Sequence, residues 1–87
     1  MSKEQIIMLK AMLEWNDEYS YGYDYLLDDT DLDRKTLVKN MKELRSLGYV
    51  RMVRGGFNED GEMVGGTGFY LDYEKHKEVK KLVEEQS

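Results

Sequence analysis

The chain of 87 residues has room for one domain with a small core, and its 18 acidic residues against 13 lysines and arginines leave a formal charge of −5. It has no cysteine, which excludes a disulfide framework and a thiolate metal site, so packing and possible assembly must carry the fold. No apolar run approaches the ~18–20 residues that span a bilayer, and Met1–Glu18 lacks the charged head and cleavage pattern of a signal peptide, so a soluble, cytoplasmic protein without membrane contact is expected.

A first helix is predicted over Glu4–Glu18 with Ser2 as its cap. Ile6, Leu9 and Leu13 form one apolar stripe, and Met8, Met12 and Trp15 form a second beside it. Two stripes exceed what one small core covers, so one of them is expected to face another subunit. Tyr19, Tyr21, Tyr23 and Tyr25 then recur with period two, whereas Tyr25-Leu26-Leu27 followed by acids suits a helix. A short extended segment around Tyr19–Tyr21 and a helix over Gly22–Asp28 reconcile the two patterns. Asp28-Asp29-Thr30-Asp31 reads as a loop, and Asp33 as the cap of the next helix.

The stretch Asp33–Val50, DRKTLVKNMKELRSLGYV, separates two faces within one helical period. At about 100° per residue, Leu37, Met41 and Leu44 cluster on one side with Leu47 at its edge, while Lys35, Lys39, Lys42 and Ser46 lie opposite. A helix of this kind buries one side and offers lysines to an anionic partner. Gly48, just past the last apolar residue, is placed to stop the helix in a left-handed cap, after which the chain leaves as a strand.

The net charge hides a strong asymmetry. Residues 1–33 carry −7 and residues 55–87 carry −4, whereas residues 34–54 carry +6, with Arg34, Lys35, Lys39, Lys42, Arg45, Arg51 and Arg54 against Glu43 alone. Close contacts within a Debye length of ~8 Å can outweigh whole-chain repulsion of a polyanion, so an acidic body with one basic block is still able to bind one.

After Val50, Arg51–Arg54 and an apolar alternation at Thr67, Phe69 and Leu71 flank a glycine-rich connection with turn residues at Asn58-Glu59-Asp60-Gly61. This is the pattern of a hairpin, with Val50 and Met52 facing the core beside Phe69 and Leu71. Glu74–Glu85 closes the chain as a helix with Val79, Leu82 and Val83 apolar and His76 near the same face.

Other motifs fail on their own chemistry. Asp29-x-Asp31-x-Asp33 imitates the opening of a calcium loop, but Arg34 and Asn40 stand where the required glycine and bidentate glutamate belong. Gly65-Gly66-Thr67-Gly68 lacks the lysine and helix of a phosphate cradle, so hairpin flexibility explains it better. The single histidine, His76, has no partner constellation for catalysis and no cysteine to share a metal. No catalytic residue, metal or cofactor is expected, and no enzyme. Of the seven tyrosines, the run Tyr19–Tyr25 lies among acids, which favours core and interface packing over stacking on bases.

The order helix, short strand, helix, helix, hairpin, helix resembles the winged helix-turn-helix superfamily, particularly its small bacterial and phage regulators and the MarR-like group. The resemblance covers roughly Glu4–Asp72 and is carried by Asp33 as cap, Thr36-Leu37 in the first turn, Leu44 as inner leucine, and Leu47-Gly48-Tyr49-Val50 leading into the wing. It implies one α+β domain over residues 1–87, with a three-helix core, a β-hairpin wing at about 49–72 and a carboxy-terminal helix at about 74–85. It also implies a sequence-specific double-stranded DNA-binding protein, a small transcriptional regulator. Arg34, Lys35, Thr36 and Lys39 would face bases and phosphates in the major groove with Lys42 beside them.

Two positions depart from the family pattern. Val38 stands where many relatives carry a small polar residue, and could touch a thymine methyl. The wing tip Asn58–Glu62 is acidic, so Arg51 or Arg54 at the wing base should make the backbone contact. MarR-like relatives pair through their terminal helices, which implies a homodimer through the first and last helices here. The acidic amino-terminal third and wing tip support the alternative: a winged-helix protein-interaction module, or an acidic inhibitor of a nucleic-acid-binding enzyme.

Overall fold

The computed structural model describes residues 1–15, 20, 22–57, 60 and 62–86, with residues 55–57 and 63–65 described by backbone alone. Among these, four α-helices and a hairpin follow in the order α1 (Lys3–Leu13), α2 (Tyr23–Asp29), α3 (Arg34–Ser46), β1 (Val50–Phe57), β2 (Met63–Leu71) and α4 (His76–Gln86). A 3-10 turn at Tyr73–Lys75 leads into α4. The fold is α+β, and none of its described helices is long and apolar enough to cross a membrane.

α1 begins in a capping box. Ser2 Oγ accepts from the Gln5 N–H and Gln5 Oε1 accepts from the Ser2 N–H, each at 3.2 Å, so two end groups without helical partners satisfy one another. The helix ends at Leu13, short of the expected Glu18, because Glu14 and Trp15 donate backward to Ala11 and Met12 and tighten the last turn to 3-10 spacing. Trp15 Nε1 then donates to Asp29 of α2 at 3.2 Å. Both apolar stripes are buried within the chain itself, at Ile6, Leu9, Met8, Met12 and Trp15, with Leu13 packed against them. The expectation of a spare stripe fails because α1 is central: α4, α3, α2 and β2 all pack against it.

α2 spans Tyr23–Asp29 with Gly22 as its cap, so it runs one residue past the expected Asp28 and takes in Asp29, read as loop. Thr30 Oγ1 bonds back to the Leu26 carbonyl at 2.7 Å and closes it. The extended segment expected around Tyr19–Tyr21 falls, except for Ser20, outside the described residues.

α3 starts where Asp33 Oδ1 accepts from the Thr36 N–H at 2.7 Å. Leu37, Met41 and Leu44 are fully buried, and Leu47 lies outside the core. Gly48 adopts φ 85°, letting the Tyr49 and Gly48 N–H groups bond the Leu44 and Arg45 carbonyls at 3.1 Å, which is a Schellman cap.

The hairpin pairs antiparallel from Val50↔Leu71 to Arg54↔Thr67. Val50, Phe69 and Leu71 are buried, but Met52, expected to join them, is 47% exposed. Phe69 turns its ring to Tyr23, 4.8 Å away, whereas Met52 borders an open hollow between the polar end of α3 and the hairpin. Beyond Arg54 the register shifts between Arg54 and Gly56, with Gly66 at φ 107°, so the glycine run serves a bulge. Asp72 caps the turn into α4 by accepting from the Glu74 N–H at 3.0 Å. Val79 and Val83 then bury against α1, with Leu82 half-buried.

Candidate nucleic-acid interface

With Leu37, Asn40, Met41 and Leu44 turned inward, a rotation of about 100° per residue centres Lys35, Lys39 and Lys42 on the outer face of α3. All three are exposed, and among the described residues none forms an ion pair. Their charge is therefore available to an incoming anion.

The flanks of α3 differ. On one lie Arg34, Val38 and Arg45. Arg34 sits 3.7 Å from Asp24 and holds its guanidinium 5.6 Å from the Tyr23 ring centroid, contacts that orient it but, being exposed, contribute little stability. Burial raises the pKa of the Tyr23 phenol against the opposing pull of Arg45 and Arg34, so Tyr23 stays neutral beside them. On the other flank, Gln5 of α1 donates through Nε2 to Glu43 and, at 3.2 Å, to Asn40 Oδ1. Thr36 lies on this side, half-buried, with its N–H given to Asp33. It does not join the lysine face.

Two hollows continue the basic surface. A shallow one of about 760 Å³ is lined by Arg34, Lys35, Val38, Lys39, Lys42 and Glu43. A second, of about 660 Å³, lies between the end of α3 and the hairpin, lined by Lys42, Arg45, Ser46, Val50, Arg51, Met52 and Tyr70. Lys42 belongs to both, so positive charge runs from Arg34 to Arg51.

Arg51 bonds Asp72 through Nε at 3.0 Å, yet its side chain remains 62% exposed. The Glu74 N–H, and then Arg51, hold the Asp72 carboxyl below the usual carboxylate range. Asp72 is thus charged whenever Arg51 needs a partner, and that bond leaves the two Nη groups unused. Arg54 is exposed on β1 opposite Thr67. Of the expected tip, Asp60 and Glu62 are described, and both are exposed.

The structure thus brings Lys35, Lys39 and Lys42 together, with Arg34 and Arg51 tethered at the margins. Sequence reasoning omitted Arg45 and Tyr70 from the site. Arg45 had a signal, since it follows Lys42 by three residues and shares its side of the helix. Tyr70 had none, because its position depends on pairing with Arg51 across the hairpin. The arrangement supplies cations, hydrogen-bond donors and a few apolar contacts. Among the described residues no three of His, Cys, Asp and Glu gather closely enough to hold a metal ion. No family model, curated protein or solved structure matches the chain.

Proposed function

We propose that the chain is a sequence-specific double-stranded DNA-binding protein of the winged helix-turn-helix type, acting in the cytoplasm as a small transcriptional regulator. α3 enters the major groove, about 12 Å wide and able to admit a helix, and the base of the hairpin lies against the flanking backbone. The observation that carries the reading is the row of exposed lysines without ion pairs, Lys35, Lys39 and Lys42, on a helix whose opposite side is buried. Lys35 and Lys39 contact phosphates or guanine edges, Lys42 and Arg45 follow the strand toward the hairpin, and Arg51 clamps it through its unused Nη groups.

The test is the salt dependence of binding to duplex DNA by the wild type and by Lys35→Ala/Lys39→Ala. Both side chains are exposed, so the variant keeps its fold. Each lost phosphate contact flattens the slope of log K against log salt by about 0.9. A variant that binds as the wild type does removes α3 as the reading helix.

A second reading, docking on a protein, is favoured by apolar side chains set among the cations: Val38 in the first hollow, Met52 in the second and Leu47 beside them. It predicts no measurable binding to duplex DNA at any salt. The homodimer through α1 and α4 loses its apolar argument, because Met8, Met12 and Trp15 serve the chain's own core. The proposal therefore takes one chain as the reading unit. Light scattering near 10.3 kDa supports that, and twice this mass restores the dimer.

A further inference from the structure

We propose that Gln5 is a positioning residue for the basic face, holding Glu43 toward α1 so that Lys39 and Lys42 meet an anion undiminished. The inference takes its ligand from the DNA-binding reading above, but its geometry stands without it.

Glu43 is the only acid in α3, and it borders the first hollow beside Lys39 and Lys42. On an isolated helix a glutamate is neighbour to the residue four positions before it, here Lys39, and the two attract. In the structure that pair is not formed, and Glu43 instead accepts from Gln5 Nε2.

A chain of forced choices sets the direction of this bond. The Thr36 carbonyl can only accept, so Asn40 must turn its amide nitrogen there, at 2.9 Å. Asn40 Oδ1 then faces α1, and Gln5 must present its own amide nitrogen to it, at 3.2 Å. Gln5 Oε1 is already taken by the Ser2 N–H. One Nε2 proton remains, and it goes to Glu43. With Gln5 only 3% exposed and every polar atom engaged, the amide has no other stable orientation. An apolar side chain would fill the same space; only an amide also steers the carboxylate.

The experiment compares the full-length wild type, Gln5→Met, Glu43→Gln and the double variant. Methionine keeps the volume of glutamine but cannot donate, and thermal melts first confirm that each variant folds. The probes are a random-sequence duplex and a heparin column, both read against salt. In Gln5→Met, Glu43 falls onto Lys39 and withdraws one phosphate contact, flattening the duplex slope by about 0.9 and advancing heparin elution. In the Glu43→Gln background the same substitution changes nothing, because no charge is left to steer.

A loss that persists in that background makes Gln5 merely structural and overturns the assignment, as does the absence of any effect in the single variant. Retention on heparin without duplex binding sinks the DNA reading alone, and the four-way comparison on heparin still decides the role of Gln5. If neither polyanion is held, the NMR signals of the Gln5 side-chain amide decide instead. They shift in Glu43→Gln if the bond exists, and signals that stay in place refute it.

Discussion

α1 and α3 are of similar length, 11 and 13 residues, and both present apolar residues at helical spacing, yet they are used in different ways. At 100° per residue, the buried positions from Gln5 to Trp15 span an arc of about 220°, whereas Leu37, Asn40, Met41 and Leu44 on α3 span about 100°. The difference comes from neighbours. α1 is touched by three helices and β2, so nearly every side of it has a partner. α3 lies at the surface and keeps more than half its circumference for charged groups. A helix with one narrow buried stripe can vary its other side without unfolding, and that is where a binding surface is free to develop.

Alanine scanning tests this comparison with the largest effects. Met8 and Leu9 lie on different stripes of α1, and truncating either is expected to cost ~2–5 kcal/mol, since both are fully buried. On α3, Leu44→Ala should cost about as much, while Val38→Ala, at a site 38% exposed, should stay within ~0.5 kcal/mol. Denaturant midpoints give all four values. A harmless Met8→Ala would mean that the second stripe lies outside the core, and would revive the expectation that it faces another subunit.

The sequence made α3 legible because three independent signals agree there: the apolar period, Asp33 as cap and Gly48 as stop. The lysine face followed as the complement of the buried stripe. The end of α1 was illegible for the opposite reason, since Trp15 continues the stripe of Met8 and Met12 beyond the point where the helix stops. Met52 repeats the problem in a strand: alternation continues past Val50, but only the tertiary structure shows where the covering elements end. Thr36, half-buried, stands off the lysine face with its N–H given to the Asp33 cap. The bonds that shape the site, Arg51 to Asp72 and Gln5 to Asn40 and Glu43, join residues 21, 35 and 38 positions apart. Local patterns are silent at such separations.

The ends of the two helices carry the comparison to smaller energies. α1 finishes at Glu14 in ordinary right-handed geometry, whereas α3 depends on the left-handed Gly48. A Cβ at Gly48 would meet no atom within 4 Å, so Gly48→Ala isolates the backbone cost. That cost is expected to be about 1–2 kcal/mol, read from a denaturant midpoint. An unchanged midpoint would show that the cap contributes little to fixing where α3 ends and the hairpin begins.

The starts of the helices differ in charge, which gives the smallest and most specific expectation. α1 is capped by Ser2, which does not titrate, and α3 by Asp33, whose carboxyl is held below the usual carboxylate range by the Thr36 N–H first and its hydroxyl second. A folded-state pKa below the unfolded one adds stability that is present above the unfolded value, near 3.9 for aspartate, and disappears as pH falls through the folded value. Asp33→Asn keeps an oxygen to accept from Thr36 and caps about as well, but it cannot titrate. At neutral pH it should therefore lie close to the wild type, slightly below it for want of a negative charge at the helix start. Between about pH 5 and pH 3 the wild type should lose stability faster than the variant and close that gap. Asp72, lowered by the Glu74 N–H and Arg51, leaves a residual acid dependence in both proteins, so the comparison rests on the difference between the two curves. Urea midpoints across that range supply them. Parallel curves would mean that the ionised carboxylate of Asp33 does nothing for α3 that a neutral amide could not do.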